Sequence, residues 1–96
     1  MSKILLVDDD AELTELLAEV LKIEGFEVEV AYNGEEALKF LNFSHDSILL
    51  DVMMPILSGI ETLKQIRKNF STPILMLSAR GDDIDRVLGL ELGADD

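Results

Sequence analysis

Apolar residues in this chain fall into short, separate runs, and four of these runs predict strands. They are Lys3 to Val7, Glu27 to Ala31, Ser47 to Leu50 and Ile74 to Leu77. The first, third and fourth runs are mainly apolar, as in strands buried on both faces of a parallel sheet. The run from Glu27 alternates charged and apolar residues, which is typical of an outer strand.

Helical spacing of apolar residues appears between the predicted strands. The clearest case is an amphipathic helix that Asp10 would cap and Gly25 would end. Its apolar positions recur at i, i+3, i+4, i+7 and i+8, and are Leu13, Leu16, Leu17, Val20 and Leu21.

Three further helices follow from the same kind of pattern. The Asn33-Gly34 pair predicts a turn before a short helix through Ala37, Leu38 and Leu41. After Gly59, helical spacing continues through Ile60, Leu63 and Ile66. A fourth helix is predicted from Asp82 or Asp83 to about Leu92, ending at Gly93.

Strands and helices therefore alternate, joined by short links. This order predicts an α/β fold with a doubly wound parallel sheet, helices on both faces and right-handed crossovers. The 96 residues suffice for one domain, residues 1–96, with no room for a DNA-binding domain.

Composition narrows the possible functions. The net charge of −12 disfavours direct contact with nucleic acid, because the phosphate backbone would repel the chain. There is no cysteine, and no apolar run approaches the ~18 residues that a membrane span needs. We therefore expect a cytoplasmic protein without membrane contact.

Acidic residues gather where predicted strands end. Asp8 and Asp9 follow the first strand, Asp51 follows the third, and Ser78 follows the fourth. Ligands of such sheets bind beyond the carboxyl ends of the strands. In the flavodoxin-like order 2-1-3-4-5, strands 1 and 3 are neighbours, and the three carboxylates would converge.

Converging carboxylates repel one another unless some are protonated or a cation holds them together. Mg²⁺ prefers oxygen ligands and is usually held by one or two carboxylates plus phosphate oxygens. One acid could then attack phosphorus while the others bind the ion, with the Ser78 hydroxyl donating to the phosphoryl group. The residues alone leave the alternative open that these acids only cap helices.

Several motifs resemble the receiver domains of response regulators over the whole chain. They are LLVDDD in the segment from Ile4 to Asp10, LLDVMMP at 49–55, Gly59, LSARG at 77–81 and DRVLGLELGADD at 85–96. The last two resemble transcription factors of the OmpR/PhoB type, and the whole is most similar to envelope-stress regulators of that type.

The resemblance implies a signalling domain with self-catalysed phosphotransfer and dephosphorylation, rather than an enzyme with an external substrate. A sensor histidine kinase would phosphorylate Asp51. Asp9 would bind Mg²⁺ directly, Asp8 commonly through water, and Met53 through its backbone carbonyl, with Asp51 itself also at the metal. Ser78 matches the switch hydroxyl, and Ala79 the small residue that keeps the site accessible.

The resemblance also implies an active dimer that controls transcription by the full-length protein. Its face would be formed by helix 4, strand 5 and helix 5, and the matching residues are Arg86, Val87, Leu90, Glu91, Asp95 and Asp96. Plain core packing is the alternative for the apolar members, since periodicity cannot separate the two faces.

Two features depart from the family pattern. The fifth strand, with its phosphoryl-binding Lys and switch aromatic, and the final helix lie beyond Asp96. We expect an unpaired strand 4 edge, self-association through that edge or the helix 4 face, and weak coupling of phosphorylation to any switch. Ile56 and Leu57 stand where the family usually has polar residues, and His45 is expected on the surface without partners.

Two other functions compete with this interpretation. In a haloacid-dehalogenase-type phosphatase, Asp8 would be the nucleophile of a D-x-D motif, which leaves the Asp51 motif unexplained. A non-phosphorylated interaction module would use its acids only as caps and for solubility, and would not bind Mg²⁺.

Overall fold

The computed structural model describes residues 2–52, 54 and 56–77 and the strand at residues 87–90. The strands are β1 (Lys3–Val7), β2 (Glu27–Ala31), β3 (Ser47–Asp51), β4 (Ile74–Leu77) and β5 (Val87–Leu90). The helices are α1 (Ala11–Ile23), α2 (Gly34–Phe40) and α3 (Gly59–Ile66). None of the described helices is long and apolar enough to cross a membrane.

The sheet has the order β2-β1-β3-β4-β5, with β1 to β4 all parallel. The four predicted strands and the neighbouring positions of β1 and β3 are thus confirmed. Pairing of Leu5 with Ile48, and of Ile48 with Ile74, puts these three side chains in one row on one face. This row belongs to the main core beneath α2 and α3.

Both faces of the sheet carry buried residues. Leu5 and Val7 of β1 lie in the main core, while Ile4 and Leu6 point the opposite way and are also buried, on the face that α1 covers. The doubly wound arrangement is therefore confirmed for the part of the chain that the structure describes.

The fourth predicted helix is wrong over residues 87–90, which form β5 antiparallel to β4. Pairing satisfies backbone groups at the edge of β4 that would otherwise be open, and Gly89 disfavours a helix by about 1 kcal/mol relative to Ala. The expectation of an unpaired β4 edge is wrong for the same reason. The rest of that predicted helix lies outside the described residues.

Helix α1 begins and ends as predicted, but it turns a different face to the sheet. The Asp10 carboxylate accepts a hydrogen bond from the Leu13 N–H at 3.1 Å, and Gly25 has a φ of 101° just after the helix. Thr14 and Ala18 are buried, whereas Leu16 is 58% exposed. Small residues let the helix lie close to the strands, and the Thr14 hydroxyl is satisfied by the Ala11 carbonyl at 2.9 Å.

Candidate functional site

Asp8 follows β1 directly and is held in place by backbone hydrogen bonds. Its N–H donates to the Ala31 carbonyl at 3.1 Å, which ties the end of β1 to β2. Its Oδ1 accepts from the Asp10 N–H at 3.0 Å. The side chain is therefore oriented by the same turn that starts α1, and the residue is only 5% exposed.

Asp51 is the last residue of β3 and is 4% exposed. The next residue, Val52, donates its N–H to the Leu77 carbonyl at 2.9 Å and accepts from the Gly59 N–H at 3.0 Å. A Cβ at Gly59 would lie 2.1 Å from the Asp51 carbonyl oxygen. Helix α3 can therefore begin directly against Asp51 only because residue 59 is glycine.

The strand register brings the two buried acids together. Val7 is paired with Leu50, so the residues that follow them, Asp8 and Asp51, lie at the same level of neighbouring strands. Each offers a carboxylate oxygen, as does the exposed Asp9, and these three oxygens all lie within 4.8 Å of one another. We call Asp8, Asp9 and Asp51 the acidic cluster.

The acidic cluster is electrostatically unfavourable without a cation. Burial raises the pKa of Asp8 above its ordinary value of 3.8, and the charges of Asp9 and Asp10 raise it further. The Asp10 N–H and a side-chain hydrogen bond with Asp51 lower this pKa in part. The net effect is a raised pKa, so the charged form of Asp8 is less favourable here than in water.

The cluster fits a hard divalent ion. Mg²⁺ takes oxygen ligands at about 2.1 Å, so ligands on opposite sides of the ion are about 4.2 Å apart. The three cluster oxygens, all within 4.8 Å of one another, are therefore close enough for small side-chain movements to bring them to one ion. Exposed Asp9 leaves one side open to water and to an incoming phosphoryl group.

The structure does not test the other predicted site residues. Met53, Ser78 and Ala79 lie outside the described residues, as do four members of the predicted dimer face, Arg86, Glu91, Asp95 and Asp96. Val87 and Leu90 lie in β5. Their predicted roles remain predictions.

The expectation for His45 is wrong. The residue is 4% exposed, its Nε2 lies 2.8 Å from Glu29 Oε1, and its Nδ1 accepts from the Asn42 N–H at 3.2 Å. Glu29 Oε1 is also 3.9 Å from Lys3 Nζ. The polar residues Lys3, Glu29, Asn42, His45 and Asp46 form what we call the amino-end network. In the sequence, the sign of this network is the charged residue Glu29 within a predicted strand.

Ile56 and Leu57 behave differently from each other. Ile56 is 71% exposed and has a φ of 70°, the left-handed region that β-branched residues rarely enter. Leu57 is half-buried and lies against the start of α2, since a Cβ at Gly34 would be 2.9 Å from Leu57 Cβ.

Comparison with known proteins agrees with this geometry. Residues 4–96 match the family described as "Response regulator receiver domain". The chain is 70% identical over its whole length to the "Transcriptional regulatory protein CpxR homolog" of Haemophilus influenzae, covering 42% of that protein. It is 64% identical to CpxR of Escherichia coli K12, again over its whole length, covering 41% of that protein. The chain thus spans about two fifths of the length of these relatives.

A solved structure shows the same fold. The response regulator TrrA from Thermotoga maritima, in complex with Mg(2+)-BeF, is 44% identical, with a TM-score of 0.77 over 84% of this chain and 72% of that one. TrrA has also been solved in complex with the histidine kinase ThkA. On its motifs, its sheet order and these matches, the chain belongs to the response regulator receiver family.

Proposed function

We propose that Asp51 accepts a phosphoryl group from a phosphohistidine of a sensor histidine kinase. An Asp51 carboxylate oxygen would attack phosphorus, forming the acyl phosphate while the P–N bond to the kinase histidine breaks. The departing imidazole keeps the electron pair of that bond and takes up a proton. The observation that carries this proposal is the approach of three carboxylate oxygens, two of them from buried residues, at the ends of adjacent strands.

Asp8 and Asp9 would hold Mg²⁺ together with Asp51 and the Met53 carbonyl. When bound, the ion would neutralise charge on the phosphoryl oxygens. The Asp8 carboxylate is already oriented by the Asp10 N–H, so little ordering is needed on binding. The Ser78 hydroxyl would donate to the phosphoryl group, and Ala79 would leave access to it.

The test is incubation with acetyl phosphate and Mg²⁺, followed by mass mapping of added phosphate. Asp51→Asn should abolish the label. Asp10→Asn is the matched control: it makes the same chemical change at the N-cap of α1, next to the cluster, and Asn caps helices as well as Asp does. Label that persists in Asp51→Asn and disappears in Asp8→Asn would instead support the phosphatase mechanism.

Millimolar Mg²⁺ should also perturb NMR signals near Asp9 and Asp51, and this perturbation distinguishes a receiver from a passive interaction module. An unchanged spectrum in the wild-type chain, with no label from acetyl phosphate, would refute the proposal.

For the full-length protein we propose that phosphorylation controls dimerisation and, through it, DNA binding and transcription. The support is the whole-chain identity to proteins called transcriptional regulatory proteins. The experiment is light scattering of the full-length protein with and without acetyl phosphate, in which phosphorylation should shift the mass from monomer to dimer.

A further inference from the structure

The backbone at Ile56 carries an unexplained strain. A φ of 70° suits glycine and asparagine, whereas the branched Cβ of isoleucine clashes with the neighbouring backbone in this region. The side chain recovers little by packing, because the residue is 71% exposed. Within the fold itself, isoleucine is therefore a poor choice at this position.

Contacts on the C-terminal side of Ile56 hold the strained conformation in place. Leu57 lies against Gly34, where an added Cβ would also be 2.2 Å from the buried Thr62 Oγ1. The Ser58 hydroxyl accepts from the Glu61 N–H at 3.2 Å and caps α3. Gly59 lies against the Asp51 carbonyl. The chain after Ile56 is thus fixed, and the isoleucine side chain is presented to solvent from a rigid support.

Ile56 lies close to Asp51. Three residues of chain span at most about 11 Å, so the Ile56 Cα lies within about 15 Å of the Asp51 backbone, against which Gly59 packs. A protein that delivers a phosphoryl group must cover Asp51, and a typical contact of about 800 Å² per partner is a disc of about 16 Å radius. Such a protein would reach Ile56, while a small phosphodonor would not.

We propose that Ile56 is a specificity-determining residue that contacts the protein phosphodonor through an apolar surface on that protein. The inference rests on the proposed phosphotransfer to Asp51. Strain in the fold is retained because the exposed side chain is used in the transfer complex. Exposed Asp9 and Asp10 at the same end of the sheet would attract cationic groups of any protein, whereas Ile56 would add a contact that only a complementary apolar surface can match.

The experiment compares two phosphodonors on the same variants. One is acetyl phosphate, and the other is the autophosphorylated histidine kinase fragment that labels the wild-type chain fastest in a panel. Ile56→Asn removes the apolar side chain and also relieves the strain, so a loss of folding cannot explain a loss of transfer. Ile56→Leu tests rescue by a side chain of similar size. Phe43→Ala removes an apolar residue that is even more exposed, from the loop before β3, at the opposite end of that strand.

The kinase-dependent rate constant should fall about tenfold in Ile56→Asn, as expected for one apolar side chain that is no longer buried on binding. The rate with acetyl phosphate should stay within twofold, Ile56→Leu should keep most of the kinase rate, and Phe43→Ala should change neither rate. Equal losses with both donors would overturn the proposal, as would an unchanged kinase rate. A change confined to self-association would assign Ile56 to contact with a second copy instead.

Failure of the proposed function has a different signature. In that case the wild-type chain would not be labelled at Asp51 by acetyl phosphate at all, whatever residue stands at position 56.

Discussion

The two ends of the sheet hold ionisable residues in opposite ways. At the carboxyl end, Asp8, Asp9 and Asp51 place carboxylate oxygens within 4.8 Å of one another. Burial further disfavours the charged form of Asp8. At the amino end, Lys3, Glu29 and His45 combine charges of opposite sign with donors and acceptors that match. The first arrangement would be stabilised by a bound cation, whereas the second is satisfied by the chain itself.

This difference separates residues that serve a function from residues that stabilise the fold. Nothing in the described fold requires two buried acids to share one pocket, so the acidic cluster points to a cation and its chemistry. The amino-end network instead joins β1, β2 and the loop before β3, where the Asp46 carboxylate accepts from the Lys3 N–H at 2.7 Å. We expect changes at the two ends to affect different properties.

The largest expected effect comes from Gly59→Ala. The new Cβ would lie 2.1 Å from the Asp51 carbonyl oxygen and 2.7 Å from Val52 Cα, and backbone atoms cannot move aside cheaply. We expect a loss of about 3 kcal/mol or more in the free energy of unfolding, measured by urea denaturation, and slower labelling of Asp51.

Gly25→Ala is the control for Gly59→Ala. Gly25 has a φ of 101° but nothing within 4 Å of an added Cβ, so only the backbone strain should appear, at about 1 kcal/mol. Equal effects of the two changes would mean that α3 does not pack tightly on Asp51.

The second prediction concerns His45→Ala. It removes a buried ring, leaves the Asn42 N–H without its acceptor and takes from Glu29 its shorter contact, so we expect a loss of about 2–3 kcal/mol in urea denaturation. Labelling of Asp51 by acetyl phosphate, per folded molecule, should stay unchanged. A large drop in labelling of the folded fraction would show that the amino-end network affects phosphorylation of Asp51, and that the two ends of the sheet are not independent.

Much of this fold and site follows from sequence pattern, and the failures have physical causes. The strands and the meeting of Asp8 with Asp51 were predictable because apolar runs mark buried strands, and neighbouring parallel strands end at one edge. The buried face of α1 was not predictable, because Thr14 and Ala18 are the buried residues of this helix although leucines dominate its sequence. Small residues that allow close packing leave no signal in hydrophobic periodicity.

Hydrophobic periodicity also could not predict contacts between residues that are distant in sequence. His45 is buried because Glu29, sixteen residues earlier, reaches its ring from β2. Likewise, residues 87–90 have helical spacing, but the open edge of β4 offers them backbone partners in a strand. In both cases tertiary contacts decided the outcome.

The third prediction is that Asp8→Asn stabilises the metal-free chain at neutral pH by about 1 kcal/mol. It removes the charge that burial and Asp9 disfavour, while an amide oxygen can still accept from the Asp10 N–H. Mg²⁺ should raise the urea midpoint of the wild-type chain and have little effect on this variant. Asp10→Asn, the exposed control with the same change of charge, should keep the response to Mg²⁺. A destabilised Asp8→Asn would show that the cluster is already satisfied without an ion.

The smallest effect is a pH dependence that only the carboxyl end should show. Because the pKa of Asp8 is raised in the folded state, folded protein holds this proton more tightly than unfolded protein. The resulting stability is complete below the ordinary value of 3.8 and is lost as the pH rises through the raised pKa. The difference in unfolding free energy between the wild-type chain and Asp8→Asn should therefore grow between about pH 4 and pH 7, in favour of the variant. Millimolar Mg²⁺ should remove this trend, because the ion favours the charged carboxylate, and the His45→Ala variant should retain it. A difference that stays constant over this range would mean that Asp8 keeps its ordinary pKa, and the carboxyl end would then be as well satisfied as the amino end.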